Sequence, residues 1–332
     1  RVIPNKSPVL KTPRARAAEA CDGGVRGGGV GGLRKSMPAA GRQEVVIQHW
    51  RYDRCQALST REECKLLWRV LQQRVAANIG LEHVAYVQLI ENHGVRSGAS
   101  LPHPHAQLLA LPFVPGDQHH RLDLARKHFE DRCEAQANPF DVAIKEARED
   151  GRMLFENNGC AAFVPYGLDK CCEIWVVSKC AEADTLAKEP CIDLCAEGVR
   201  QSLKMLYQEK DDPPYNLLVR QNRTQWAAAA TATAGVDGGR CPWYRWHAVI
   251  LPHNVHSRWA GVKGYGNFVP MTGTPEDHAR QLRQWRDRPF EHVPAPPPAV
   301  VDEFAQQRGR ALASGACALL LAVGVLLSRS RR

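Results

Sequence analysis

Apolar residues recur along this chain with two periods, and the two periods alternate. Residues 44–47 (EVVI), 86–90 (YVQLI) and 107–111 (QLLAL) are short runs of strand character. Residues 61–80 instead place Cys64, Leu67, Trp68, Leu71 and Val75 on one face at helical spacing. Thr60 followed by Glu63 is the capping-box start of that helix. The later half runs through the same series: a strand at 173–177 (EIWVV), a helix at 190–209 opened by Pro190, then strands at 215–219 (YNLLV) and 247–251 (HAVIL). The first three elements of each series are offset by the same 129 residues, and the fourth pair opens on the same dipeptide, His105-Ala106 against His247-Ala248. Equal spacing over three elements implies an internal duplication. The predicted fold is α+β: two similar halves, each an antiparallel sheet packed with a long helix.

On this division residues 1–125 form the first half and 126–290 the second. Segments 14–42, rich in Gly, Ala and Arg, and 227–239 (AAAATATAGVDGG) have no period that could bury a face and read as mobile insertions. Residues 291–310 begin Pro-rich and read as a linker. Residues 311–332 follow, of which 311–327 are a charge-free run of 17 between Arg310 and Arg329. That length is the lower edge of a membrane span and predicts a C-terminal anchor with a basic tail. The competing reading of so short an Ala- and Gly-rich run is a buried apolar helix. The chain begins at Arg1 and not at Met, which reads as a processed or incomplete N-terminus.

Composition narrows the function classes. Lys and Arg total 44 against 35 Asp and Glu, a net charge of +9 that suits a phosphate-bearing ligand. The arginines are scattered and no basic helix carries interleaved aromatics, so nucleic acid is not a predicted partner. The 12 cysteines have irregular spacing and no C-x-x-C pair, which argues for reduced thiols and against a disulfide framework. No secretory signal is visible. A cytoplasmic location is expected, with C-terminal membrane anchorage or a plastid as the other placements.

The chemistry concentrates in residues 92–112, NHGVRSGASLPHPHAQLLALP. Asn92 and Gly94 open a turn after a strand, small residues from Ser97 to Ser100 follow, and His103-Pro104-His105-Ala106-Gln107 leads into the next strand. Alternate strand residues share a face, so His103, His105 and Gln107 are expected to point the same way. Three polar side chains on one face ahead of an apolar run are costly unless they serve a site. Imidazole is a good nucleophile and leaving group toward phosphorus, and small residues ahead of it let phosphate oxygens approach backbone N–H groups.

This N-x-G…S-G-A-S-x-P-H-P-H-x-Q pattern resembles the signature of the galactose-1-phosphate uridylyltransferase family, within the histidine-triad superfamily. The opening Arg1-Val2-Ile3-Pro4-Asn5-Lys6-Ser7-Pro8 is similar to another family segment, as are Glu173-Ile174-Trp175, Pro214-Tyr215-Asn216, Trp246-His247 through Pro252, and Gly264-Tyr265-Gly266-Asn267. The resemblance covers roughly residues 1 to 285, and the family fold is itself two similar halves. It implies that His105 is the nucleophile that forms a nucleotidyl-histidine intermediate and that Gln107 donates to the phosphoryl group. It further implies that Asn92 and Ser100 hold phosphate oxygens, that Asn5 contacts the nucleoside, and that Gly94, Gly264 and Gly266 lie at the substrate. The implied partners are a nucleotide sugar and a hexose 1-phosphate or phosphate, and family members are often homodimers.

The resemblance also implies zinc, but this chain departs from the pattern. Of the first family site only His103 survives: its Cys pair would precede Arg1, and Tyr52 stands where a His is expected. Of the second site, Cys133 lacks its partner at Gln136, other positions read Gly159, Arg245 and Val249, and His247 remains alone. A fully ligated zinc, which needs four ligands, is therefore not expected. The Gly264-Tyr265-Gly266 segment lacks the acidic residue of the galactose-specific enzymes and is similar to that of plant-type ADP-glucose phosphorylases. Three functions stand side by side: a hexose-1-phosphate uridylyltransferase of galactose metabolism, an ADP-glucose phosphorylase-like adenylyltransferase, and a non-catalytic, membrane-tethered nucleotide binder. The intact His103–Gln107 run favours the enzymes; the eroded zinc positions favour the third.

Overall fold

The computed structural model of the chain describes residues 1–5, 8, 10, 40–131, 137–168, 171–224, 241–253 and 273–289, together with the strand pairing of Arg26–Gly27 (β2) and Lys35–Ser36 (β3). Nine further strands form one antiparallel sheet: β1 Val2–Pro4, β4 Arg42–Ile47, β5 Tyr86–His93, β6 His105–Leu111, β7 Met153–Glu156, β8 Cys160–Phe163, β9 Ile174–Ser178, β10 Tyr215–Arg220 and β11 His247–Pro252. Their order is β1-β4-β6-β5-β10-β11-β9-β8-β7, so the series β4-β6-β5 is repeated in mirror order as β10-β11-β9. The repeat expected from sequence is thus present, with one difference. The two halves do not keep separate sheets; β5 and β10 pair and make the sheet continuous. An unpaired β5 would expose a row of N–H and C=O groups, and pairing the two copies edge to edge removes both open edges at once.

Five helices are described: α1 Arg61–Ile79, α2 Gly116–Asp131, α3 Pro139–Glu149, α4 Ile192–Lys210 and α5 Pro275–Arg283. α1 starts at the predicted capping box, with the Thr60 side chain accepting from Glu63 N–H and the Glu63 carboxylate accepting from Thr60 N–H. Its predicted stripe, Cys64, Leu67, Trp68, Leu71 and Val75, is buried. α1 and its counterpart α4 lie on the same sheet face, over Val87, Leu89, Ala106 and Leu108. Trp68 of α1 and Trp246 beside β11 pack with centroids 6.0 Å apart, and the Trp68 indole N–H donates to Gln56 Oε1 at 2.9 Å. Cys195 is fully buried in α4, while Cys191 just ahead of that helix is only partly covered.

On the opposite face, the described helices pack over the second half, and Leu10 packs on Tyr86 and Leu111 of the first. α2 and α3 lay Leu122, Phe140 and Ile144 against Phe163, Val177 and Tyr244. His119 and His120 are both in α2, where His119 Nδ1 pairs with Asp123 at 2.9 Å one turn on. Only Leu122 and Ala125 of α2 are buried apolar residues, too few to raise a helical pattern. The helix docks instead through buried Gln118, which donates to Gln221 O at 2.8 Å and Tyr244 Oη at 2.9 Å. No helix among the described residues is long and apolar enough to cross a membrane. Segments 311–332 and 227–239, and most of 14–42, lie outside the described residues.

Gly198 lets α4 approach the sheet. A Cβ there would fall 2.4 Å from Cys160 Sγ and 3.1 Å from Val176 Cγ1. Gly198→Ala is therefore predicted to lose about 1–3 kcal/mol of stability through overpacking, although Ala is the better helix former by about 1 kcal/mol. Urea unfolding of the two proteins checks this; a stabilised variant would refute the close-approach account.

Candidate active site

Strand β6 begins at His105, between β4 on one side and β5 on the other. Ala106, Leu108 and Ala110 point into the core beneath α1, so His105, Gln107 and Leu109 take the other face. Across β4, His105 faces Ile47. Across β5, Glu91 faces Ala106, and the next step of the same register sets Asn92 opposite His105. Asn92 in turn faces Asn216 on β10. The result is a polar row, His105–Asn92–Asn216, running over three strands on the face opposite α1 and α4, with Cβ atoms of direct neighbours about 4.5–5.5 Å apart.

Each member of the row is fixed. His105 is buried at 8% exposure and its Nδ1 lies 2.8 Å from the His103 carbonyl oxygen. A carbonyl only accepts, so Nδ1 carries the hydrogen and Nε2 keeps its lone pair. Gln107 Oε1 accepts from Gln43 Nε2 at 2.9 Å, which leaves the Gln107 amide N–H groups to donate elsewhere. Asn216 Nδ2 donates to Asn92 Oδ1 at 2.7 Å and to Ser97 O at 3.0 Å, tying the row to the loop that follows β5. His253 Nε2 bonds Asn216 Oδ1 from beyond β11. Gly94 begins the loop at φ 80°, ψ 155°, a conformation essentially reserved for glycine, and a Cβ there would meet Pro214 Cβ at 2.9 Å. Ser100 is exposed on the same loop.

The structure brings together His105, Gln107, Asn92 and the Gly94–Ser100 loop. Asn5 stands farther along: its N–H donates to Gln43 O at 3.1 Å, and Gln43 is the residue that holds Gln107. A cavity of about 920 Å³ opens there, lined by Asn5, Gln43, Arg42, Arg74, His83 and Pro112 among others. It lies at the opposite end of β6 from His105, since Arg42 faces Ala110. Gly264 and Gly266 lie outside the described residues. Sequence reasoning assigned no role to Gln43, and Asn216 appeared only as part of a family segment; the signal for Asn216 was the repeat, which sets β10 against β5.

His103 does not share the face of His105, because the strand starts two residues later. Its Nε2 donates to the His49 carbonyl at 2.6 Å, bracing the loop after β4. The zinc sites implied by the resemblance do not fit the described residues. His103 belongs to no group of three ligating side chains among the described residues, and Tyr52 is 53% exposed. His247 repeats the geometry of His105, with Nδ1 donating to the Arg245 carbonyl at 3.1 Å, but it is enclosed by Phe140, Trp175 and Tyr244 at centroid distances of 5.0, 5.0 and 6.0 Å. Burial pushes its pKa down to about 3, so the ring is a neutral core histidine packed among aromatic rings. Cys133 and Gln136 lie outside the described residues.

The described residues thus form two similar halves on one sheet, with the His105–Asn92–Asn216 row on one face. Solved structures share the fold. An ADP-glucose phosphorylase from Arabidopsis thaliana with bound ADP-glucose matches with a TM-score of 0.68 at 20% identity, over 86% of this chain and 81% of that one. A uridylyltransferase structure matches with a TM-score of 0.69 at 19% identity, over 86% and 88%. The family model for galactose-1-phosphate uridyl transferase, N-terminal domain, matches residues 31–115. The chain is 26% identical over 216 residues to ADP-glucose phosphorylase of Arabidopsis thaliana, 61% of this chain and 53% of that protein. It is 32% identical over 85 residues to galactose-1-phosphate uridylyltransferase of Thermotoga maritima, 26% of each. The chain is thus similar to this family over those segments, and it spans about half the length of the first of these relatives and about a quarter of the second.

Two outcomes are expected. Gly94→Ala must abandon a glycine-only conformation and is predicted to cost about 1–3 kcal/mol, read by urea unfolding; an unchanged midpoint would refute it. For His247, the folded ring titrates near 3 and the unfolded ring near 6.5. Between these values the unfolded chain binds the extra proton, so stability falls as pH drops from about 6.5 toward 3, with a slope approaching about 1.4 kcal/mol per pH unit. The stability–pH curve of His247→Phe should be flatter over that window, and an equal slope would rule the assignment out.

Proposed function

We propose that the chain transfers a nucleotidyl group from a nucleotide sugar to a phosphate-bearing acceptor, with His105 as the nucleophile. The observation that carries this is the Nδ1–H bond to the His103 carbonyl, which leaves the Nε2 lone pair outward on the face that no described helix covers. Nε2 attacks the α-phosphorus, an Nε2–P bond forms, and the bond from that phosphorus to the bridging oxygen breaks. The sugar 1-phosphate departs with the electron pair. The His103 carbonyl steadies the positive charge that the ring gains. An oxygen of the acceptor phosphate then attacks the same phosphorus, the P–N bond breaks, and Nε2 recovers its lone pair.

The neighbours fit this course. The Gln107 amide donates to the phosphoryl oxygens, and the Ser100 hydroxyl at the end of the Gly94–Ser100 loop holds the adjacent phosphate. The nucleoside lies along β6 toward Gln43 and Asn5, roughly 14 Å from His105 for a four-residue strand run at the usual rise. The cavity at Asn5 takes the base. An adenylyl donor with inorganic phosphate as acceptor is the second reading. It is favoured by the 216-residue match to the Arabidopsis ADP-glucose phosphorylase, which is too long to lie within either half.

The test uses UDP-glucose and ADP-glucose labelled in the α-phosphate, with a basic quench. A base-stable, acid-labile protein adduct is expected, abolished by His105→Ala, and the donor that labels the protein separates the two readings. Absence of label from both donors would overturn the proposal.

A further inference from the structure

On the opposite face of β5 from Asn92, three side chains from distant parts of the chain converge. Cys55 follows β4, His93 ends β5, and Asp212 follows α4. The Cys55 sulfur, a ring nitrogen of His93 and a carboxylate oxygen of Asp212 all lie within 4.8 Å of one another. His93 Nε2 sits 2.7 Å from Asp212 Oδ1. No other group of three or more ligating side chains is so close among the described residues. We propose that Cys55, His93 and Asp212 form a binding site for a divalent cation of the zinc class, distinct from the two zinc sites that the family resemblance implies.

The donor set is one thiolate, one imidazole and one carboxylate, a soft-to-borderline mixture that selects zinc-like ions over calcium or magnesium. Usual bond lengths of about 2.0–2.3 Å put tetrahedral ligands roughly 3.3–3.8 Å apart, so the pairs near the 4.8 Å limit close by little more than about 1 Å, while His93 Nε2 and Asp212 Oδ1, 2.7 Å apart, open by about 1 Å. A fourth position stays open for water, and Asp212, with 41% of its side chain exposed, leaves a path from solvent. The backbone N–H groups of Ala57 and Leu58 near Cys55 favour its thiolate form, and the Leu58 N–H donates to the Cys55 carbonyl oxygen at 3.1 Å. Burial nonetheless pushes the Cys55 thiol up, so the cation displaces a proton when it binds.

The surroundings call for positive charge. Glu91, buried two residues before His93, accepts from Gln48 Nε2 at 2.6 Å, Gln56 Nε2 at 2.5 Å and Tyr215 Oη at 2.9 Å, all neutral donors. Asp211 and Asp212 follow the C-terminus of α4, where the helix dipole disfavours anions. Both hold left-handed φ values of 55° and 52°. The Asp212 N–H donates to Tyr207 O at 3.0 Å and fixes the carboxylate at the helix end. Tyr215 stacks on the His93 ring at 4.8 Å and sets its orientation, the part that outer groups play around metal ligands. A cation here ties the loop after β4, the root of the Gly94–Ser100 loop and the α4–β10 junction into one unit. It acts in support of the nucleotide face, not on it.

The full chain, freed of metal by a chelator, is titrated with cobalt(II) and then zinc. One equivalent of cobalt(II) should produce tetrahedral visible bands and a thiolate-to-cobalt absorption in the near ultraviolet, both bleached by zinc, and zinc should raise the thermal midpoint. Cys55→Ala should remove the thiolate absorption. Asp212→Asn, a change at a half-exposed side chain, should weaken cobalt binding by at least about tenfold. Cys191→Ala, which alters a more accessible thiol, should leave the spectrum unchanged. A thiolate band that survives in Cys55→Ala, an undiminished affinity in Asp212→Asn, or no stoichiometric binding by the parent chain would each overturn the proposal.

Discussion

Antiparallel pairing of β5 with β10 sets Asn216 opposite Asn92 and Tyr215 opposite His93, and nearly everything chemical in this molecule follows from that register. Side chains alternate along a strand, so adjacent residues on the seam serve opposite faces. Asn92 and Asn216 extend the His105 row on one side. His93 and Tyr215 stand on the other, beneath the helices with Cys55 and Asp212. A slip of one residue would exchange the two sets and dismantle both at once. The seam is also where the two copies of the repeat meet, so the join between halves and the placement of the chemistry are one constraint.

Much of this was legible in the chain. Helix α1 was readable because three signals agreed: a capping box, an apolar stripe and a length that no strand reaches. His105 and Gln107 were readable because polar side chains two apart, at the head of an apolar strand, carry a desolvation cost that a packed core alone would not impose. What failed did so for identifiable reasons. Helix α2 docks mainly by hydrogen bonds from Gln118, and amide docking leaves no periodic trace. His103 was assigned to the strand face by alternation, but alternation holds only where the ladder has begun, and it begins at His105. Cys55, His93 and Asp212 lie too far apart in the chain for spacing to join them. Glu91 is buried by its cross-strand and loop partners, and its own strand pattern does not show the three donors that hold it.

His105 and His247 separate fold from function within a single sheet. Both open equivalent strands and both give an Nδ1 hydrogen to the carbonyl two residues back. The local backbone geometry therefore presents an outward Nε2 in each half. What differs is the cover. Over His247 lie Phe140, Trp175 and Tyr244, backed by α3, while no described helix lies over His105.

That aromatic cover has a consequence for how the molecule could change. If the two halves arose by doubling, equivalent imidazoles came first, and the one enclosed by rings has a value that lies in its shape and neutrality. That enclosed copy is thereby free to be replaced by another flat, uncharged side chain. Any attempt to waken the silent half would have to start with the three rings that roof it, because the bond that aims the imidazole is already in place.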